Sequence, residues 1–493
     1  MNKIKLMILA LAGMITVTGC GDFGDTNVDP NNPSKPDTRF LFSYACKKVP
    51  TLSMVSTFNP WTQIYPQYVS EGKSIQFTNF SQPQFATTSY YTETLRNLEG
   101  IIKLNTDEET KNESYVVQLG SAANQIAACR TLRALFYMSL TDAQGMVAYS
   151  EALKGDDANF TPKYDSQESI YTDLDKELTE AYAQFDASSS LDKNFDILYA
   201  GNISNWKKLN ASIRMMMAIK LSDVAPGVGK ERFAKAYTDG GMTDNDEMLV
   251  YKYLQETANQ NPMYDNMVVS GRKDYAPSKT ILDQLLAYND PRIHAYAVPN
   301  SLGEYKGVPF GLIQADVTNY KDCAAFAERY YQQNSPVVVI SPSHILLIEA
   351  EAAVRGWINA DPADLYKAGI TASFAQYDDI DELKNPEEAA ETYCAQADIK
   401  FEGTDAQKIE KIAMQRWLAN FMQNGFEAWS DWRRLNVPKL KVGPNALVDH
   451  IPYRMTYSAP DYNTNMDNYN AAVAEQGPDN IETRVWWDVA PNN

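Results

Sequence analysis

The amino-acid sequence predicts a mainly helical protein, and three observations carry the prediction. Apolar residues recur at helical spacing in five stretches, at 116–137, 170–185, 206–216, 345–352 and 409–421. Helix-start signals precede two of them: Asp165-Ser166-Gln167-Glu168, and Thr404-Asp405-Ala406-Gln407 with capping-box spacing. Ser343 to Trp357 is apolar on most sides, and Asn359-Ala360-Asp361-Pro362 leads from it into a second helical run, Leu365 to Tyr377, as in a hairpin.

At the start of the chain, Lys3 and Lys5 precede an almost wholly apolar run from Leu6 to Val17. That is the layout of an export signal, too short and wrongly flanked for a spanning helix. Val17-Thr18-Gly19-Cys20 closes the run with a branched residue, two small ones and a cysteine, and resembles a lipobox, in which Cys20 is acylated and begins the mature chain. An ordinary signal followed by a chance cysteine is the plain alternative. The chain therefore divides into a signal peptide at 1–19, a lipidated leader at 20–38 and a single domain at 39–493. Pro30, Pro33 and Pro36 keep the leader extended. Fully stretched, it holds the body at most about 60 Å from the lipid, at ~3.3 Å per residue.

A formal charge of −19 sets the chain against nucleic acid and anionic head groups, whose phosphates it would repel. Contact with a membrane is then expected through the Cys20 lipid only. The 30 Tyr, 18 Phe and 8 Trp exceed what stacking surfaces alone would need, so most belong to a core. Beyond Cys20, the cysteines Cys46, Cys129, Cys323 and Cys394 permit three disulfide pairings if all are oxidised. Cys129 falls among Ile126, Ala127 and Leu132 in a helical pattern and reads as a buried free thiol.

Along the chain, Val116, Leu119, Ala123, Ile126, Ala127, Ala134 and Tyr137 mark one face of a long helix. Ile170, Leu174, Leu178, Ala181 and Phe185 mark the next, and Trp206, Leu209, Ile213 and Met216 a third. Met215-Met216-Met217 reads as core filling. Between about Gly227 and Pro342 the pattern weakens into loops and short elements, with one strand over Val337 to Ile340. A long irregular span inside a compact protein is where function usually sits. Ile345, Ile348 and Ala352 then stripe a buried helix, and Ile409, Ile412, Ala413, Trp417 and Phe421 another. Phe426 to Arg434 forms a short aromatic-basic helix. The tail from Tyr453 is rich in Asn, Asp and Tyr and carries Trp486-Trp487-Asp488.

Motifs for catalysis are missing from the sequence. No ordered pattern selects a carboxylate pair for glycoside cleavage, and His294, His344 and His450 are too scattered for a metal-ligand set. GxSxG, Walker and GxGxxG patterns do not occur. Glu349 and Glu351 fall on the buried helix, where Glu349 is expected to balance a core arginine. Asp244-Asn245-Asp246-Glu247 is the one calcium reading, but it lacks the glycine and downstream Glu of an EF-hand and reads as a solvated turn. No enzyme activity and no cofactor are expected.

Nine blocks stand out in order over essentially the whole chain: the lipobox, NVDPNNP, DAQGMVAYSEAL, FTPKYDS at Phe160, GNISNWKKLNASIR, DPRIHAYAV, LLIEAEAAVRGW, QRWLANFMQNGFEAWSDWRRL and TRVWWD. Together they resemble the SusD/RagB family of nutrient-binding outer-membrane lipoproteins from Bacteroidetes, most of all its SusD-like branch. Tyr453-Arg454 followed by Asp461 departs from the basic pair and Glu expected there. The resemblance implies an all-α, tetratricopeptide-like hairpin scaffold with long irregular loops building the ligand face. It also implies a cell-surface lipoprotein, lipid-anchored in the outer membrane, that passes oligosaccharide to a TonB-dependent transporter of the SusC/RagA type. Asp22 and Asp25, close behind Cys20, are reminiscent of the signal that sends such lipoproteins to the outer surface. A peptide-binding RagB-like role is the alternative, and a lid without ligand affinity a third.

The family fixes no ligand residues at common positions, so candidates are chosen by chemistry. Sugars offer CH faces to rings and hydroxyls to amides and guanidinium groups. Phe77, Asn79, Phe80 and Gln84 share one polar-aromatic loop; Tyr264, Arg272, Tyr275, Tyr305 and Tyr320 lie in the irregular central region. Of all these expectations, the anchor is the most directly tested. Cys20→Ala is expected to leave an unacylated protein that no longer partitions with outer membranes, and intact mass of the native protein reads the acylation directly.

Overall fold

Most of the longer helices begin at a side-chain cap that the sequence supplies, among them Asp37, Ser121, Ser166, Asn202, Ser278, Ser341, Asp361, Thr404 and Asn424. The computed structural model describes residues 35–53, 60–72, 74–155, 158–313 and 322–489. Cys20, the signal segment, most of the leader and Tyr320 lie outside the described residues. The longer helices are α1 (Thr38–Lys47), α2 (Arg96–Thr106), α3 (Ala122–Gln144), α4 (Gln167–Gln184), α5 (Ile203–Lys220), α6 (Pro226–Asp239) and α7 (Lys279–Ala287). They continue as α8 (Pro342–Val354), α9 (Pro362–Phe374), α10 (Pro386–Cys394), α11 (Asp405–Ala419), α12 (Gly425–Leu435) and α13 (Met466–Gln476). Ser166 caps α4 through the Ser169 amide, and Thr404 with Gln407 closes a capping box on α11, as their spacing predicts.

Successive helices pack on one another: α3 on α4, α5 on α6 and α8 on α9, with α8 also against α11. This is the mainly helical hairpin scaffold expected. Among the described residues, eight short strands form four separate antiparallel pairs: β1 (Val69–Glu71) with β5 (Tyr275–Pro277), β2 (Val147–Ala148) with β3 (Tyr164–Asp165), β4 (Leu249–Tyr251) with β8 (Val337–Ile340), and β6 (Ala297–Val298) with β7 (Ala325–Phe326). The strand expected at 337–340 is β8, whose burial comes from this pairing. Buried apolar side chains form one contiguous cluster running from Phe42 to Trp487.

Several expectations need correction. Val116 and Leu119 are buried, but Val116 belongs to a separate turn of helix at Ser114–Val117 and Leu119 to the turn after it, because Gly120 at φ 145° breaks the run and lies against Leu191. In α3 the buried face is carried by Ala127, Ala128, Thr131, Leu132 and Leu135, while Ala123 and Ile126 are only half-buried. The weak pattern after Gly227 conceals α6, which buries only Gly229, Phe233 and Ala236 and so shows almost no stripe. The tail contains α13, whose buried residue is Ala472 alone. Asp244 to Glu247 is a capping box on a single 3-10 turn, so its carboxylates serve backbone amides. All four described cysteines are free, with Cys46 and Cys129 buried.

The polar interior is organised around two buried carboxylates. Asp142, near the end of α3, accepts hydrogen bonds from Lys220 Nζ (2.6 Å), Tyr171 Oη (2.5 Å) and Trp487 Nε1 (2.8 Å). Its backbone oxygen accepts from Arg433 (2.7 Å), whose guanidinium lies 3.7 Å from the ring centre of Trp429 and 4.5 Å from that of Trp487. Lys220 also pairs with Glu427 (2.7 Å). On α8 it is Glu351, not Glu349, that balances arginines: it meets Arg434, Arg416 (2.8 Å) and Arg355 (2.8 Å). Burial alone would raise the Glu351 carboxyl, but Arg434 and Arg416 reverse this and hold it well below the usual carboxylate range.

Glu349 has no ion-pair partner among the described residues, and burial pushes its carboxyl up to about 7. A raised carboxyl stabilises the fold while protonated; that contribution is complete below the unfolded value near 4.5 and is lost as pH rises through about 7. Glu349→Gln keeps the shape and removes the ionisation. The variant is expected to match the wild type within about 1 kcal/mol at about pH 5 and to exceed it by about 3 kcal/mol at about pH 9, in denaturant unfolding at both pH values.

Candidate ligand-binding face

One strand pair brings the two candidate loops together. Glu71, the last residue of β1, sits opposite Tyr275 of β5, and Gly72 donates to Asp274 O (2.6 Å). Residues 74–85 and 265–274 therefore emerge side by side, although they lie far apart in sequence.

Each loop is fixed by one buried polar side chain. Glu71, 2% exposed, turns its carboxylate into the first loop, where Oε2 accepts from Phe77 N (3.0 Å), Thr78 N (2.8 Å) and Thr78 Oγ1 (2.9 Å). Burial raises this carboxyl above its ordinary value, with the Thr78 and Phe77 donors offsetting part of the rise. In the second loop, Asn266 donates to Asp274 Oδ2 (2.7 Å) and accepts from Asp274 N (3.2 Å), while its carbonyl receives Arg272 N (2.9 Å). Arg272 extends outward and pairs with Asp274 (2.9 Å).

Two further segments close against these. Asn79 O accepts from Leu447 N (3.1 Å), Ser70 Oγ donates to Pro309 O (2.8 Å), and Gln67 Nε2 donates to Lys441 O (2.6 Å). Gly311 and Gly443 meet backbone to backbone: a Cβ on Gly443 would stand 2.5 Å from Gly311 Cα, which only glycine allows. Residues 74–85, 265–274, 307–313 and 440–447 thus make one face. Its exposed groups include the Gln76 and Gln82 amides, joined to each other at 2.9 Å, together with Gln84, Arg272, Lys273 and the aliphatic Val268, Val269, Ile313 and Leu447.

The residues expected from sequence fall into distinct places. Phe77, Asn79, Gln84 and Arg272 are on this face, Phe77 and Asn79 half-buried and the other two exposed. Phe80 is not a free stacking surface. It is 1% exposed, at φ 63°, and its ring packs edge-on to Tyr65 (5.6 Å) and against Phe310 (6.4 Å). Tyr275 is also buried, as an inward residue of β5. Tyr264 is half-buried in a single turn at Pro262–Tyr264, capped by Asn261, which is itself tied to Ser335 O (2.9 Å). Tyr305 lies beside His294, with its hydroxyl 2.8 Å from Nδ1 and the rings 5.6 Å apart, instead of beside Phe77. The structure therefore places rings beneath the face and amides, a guanidinium and aliphatic groups upon it. Phe160, the described ring most open to solvent, escapes the sequence reading because its stretch is short and lies outside both loops.

A family model described as "Starch-binding associating with outer membrane", SusD-like, matches residues 30–458. Among solved structures, a chitin-binding protein is 25% identical, with a TM-score of 0.76 over 92% of this chain and 100% of its own. A chitin-binding SusD homolog from Flavobacterium johnsoniae is 24% identical, with the same TM-score and coverage. A SusD homolog from Bacteroides uniformis reaches a TM-score of 0.79 at 22% identity, again over 92% and 100% of the two chains. No curated protein matches the chain significantly in sequence.

The geometry makes Glu71 the fastening of the first loop. Glu71→Ala is expected to accelerate amide exchange at Phe77 and Thr78 and to lower global stability by about 1–3 kcal/mol, leaving the helical content unchanged. Hydrogen-exchange mass spectrometry with parallel denaturant unfolding measures both.

Proposed function

The chain belongs to the SusD-like family of proteins associated with the outer membrane, and from this premise we propose that it captures oligosaccharide on the face built by residues 74–85, 265–274, 307–313 and 440–447. Members of this family are binding proteins and not enzymes. The observation that carries the reading is the fixed convergence of these segments around Glu71 and Asn266. A surface held in one shape before binding loses little entropy when a flexible glycan settles on it. Its amides and Arg272 match sugar hydroxyls, and Val268, Val269 and Leu447 match sugar CH faces. Relatives of the same fold whose names say that they bind chitin support the choice of ligand class.

In this proposal acylated Cys20 attaches the protein to the membrane, the leader spaces it from the lipid, and a SusC-type TonB-dependent transporter receives the ligand. No described helix is long and apolar enough to cross a membrane.

Calorimetry against hexasaccharides of chitin and of starch, with a peptide digest in parallel, tests the reading. Phe77→Ala combined with Arg272→Ala is expected to weaken sugar binding at least tenfold. Wild-type affinity is expected to stay constant between about 0.05 and 0.5 M salt, since a neutral sugar releases no counterions. Binding of peptide in place of sugar would replace this reading with peptide capture.

A further inference from the structure

Phe160 is 77% exposed, yet the loop carrying it is held on both sides. Before the ring, Asn159 donates to Glu151 Oε2 (3.3 Å) and accepts from Thr161 N (3.3 Å). After it, Thr161 O accepts from Asn468 Nδ2 (2.9 Å) and Pro162 O from Asn465 Nδ2 (2.6 Å), while Lys163 N donates to Glu151 Oε2 (3.1 Å). Leu153 and Ala158 nearby take left-handed backbone angles, φ 62° and 59°, which cost a residue with a Cβ. Hydrogen bonds and strain together hold a phenyl ring out in water, against the hydrophobic gain that burying it would bring.

Phe160 forms a wall of an open groove of about 370 Å³, lined also by Tyr91, Tyr164, Thr88, Leu153 and Asn159. That size falls within the range of about 300–1,000 Å³ seen for small-molecule sites. The polar tips of its tyrosines are committed: Tyr91 Oη donates to Ala148 O (2.7 Å) and Tyr164 Oη to Asp461 Oδ1 (3.4 Å). The Asp461 carboxylate is occupied as well, accepting from Ser458 N (2.8 Å) and Ser458 Oγ (2.7 Å). Lys154 stands at the lip. What the groove offers a ligand is ring surface bordered by hydroxyl and amide groups, the combination that suits an uncharged sugar.

We propose that this groove is a second carbohydrate site, in which a neutral sugar unit of a longer glycan stacks on Phe160. The inference rests on the reading of the protein as a glycan binder and adds a place for the ligand that the loop face does not supply. The two sites are neighbours in the chain. Gln84 pairs with Thr456 at the end of the first loop, and Thr87 and Thr88 of the groove follow directly. A glycan that reaches both is held more tightly than either site alone would hold it, through the effective concentration of its second segment.

The test is calorimetry on the purified full chain with hexasaccharides of chitin and of starch. Phe160→Ala is expected to weaken binding about tenfold, the size of one lost stacking contact, with the thermal midpoint unchanged because the ring is exposed. Phe160→Trp is expected to restore affinity, as a larger flat ring should. If Phe160→Ala binds like the wild type, or if the Trp variant is as weak as the Ala variant, the second site is overturned while the loop-face reading stands. If the wild type binds neither hexasaccharide, the glycan reading falls and this inference falls with it.

Discussion

Asp142 is the constraint on which the rest of the structure depends. A carboxylate fully removed from water costs several kcal/mol unless its oxygens are satisfied. Its partners here come from four different places: Lys220 from α5, Tyr171 from α4, Trp487 from the tail and, through the backbone oxygen, Arg433 from α12. Satisfying one charge therefore fixes the relative positions of four elements. Arg433 is a further buried charge in the same cluster, beside Lys220 and Glu427. Burial lowers its guanidinium to about 10, and the flanking faces of Trp429 and Trp487 replace part of the lost hydration. Three sequence blocks that look unrelated in the linear chain, DAQG, FEAWSDWRRL and TRVWWD, meet at this point.

A scaffold fixed in this way leaves its loops free to specialise. The helices commit their apolar stripes to the core, so the proposed binding face is assembled from connections. Those connections hold their shape through buried polar fastenings, Glu71 in one loop and Asn266 in the other, with the aromatic residues Tyr65, Phe80 and Phe310 as a floor. Rigidity beneath and hydrogen-bonding groups above are what a receptor for a flexible, hydroxylated ligand requires.

The scaffold was largely legible in the sequence because its signals are local. Ile345 and Ile348 sit at helical spacing whatever surrounds them, and Thr404 and Gln407 cap their own helix. α6 was not legible, since a helix that buries little beyond Phe233 and Ala236 writes almost no stripe. The site was only half legible for a different reason. Composition correctly placed aromatic and amide residues in the same loops, but whether a ring faces water depends on partners far along the chain. Phe80 is covered by Tyr65 and Phe310, and Tyr275 is turned inward by pairing with β1. The arginine partners expected for Glu349 fall to Glu351, two residues on, for the same reason: Arg434 and Arg416 reach one and not the other.

The place of Trp487 in the Asp142 cluster has a consequence for how the chain acquires its structure. Translation runs from the N-terminus onward, so Asp142, Lys220 and Glu427 all exist before the indole that completes their shell. Until Trp487 arrives, the cluster lacks both its donor to Asp142 and one face of Arg433, and water can reach the charges. Long-range closures of this kind form late, because the loop they close must first lose its freedom. The shell around Asp142 is therefore closed by a contact spanning 345 positions of the chain, and the cluster is complete only when the segment carrying Trp487 docks.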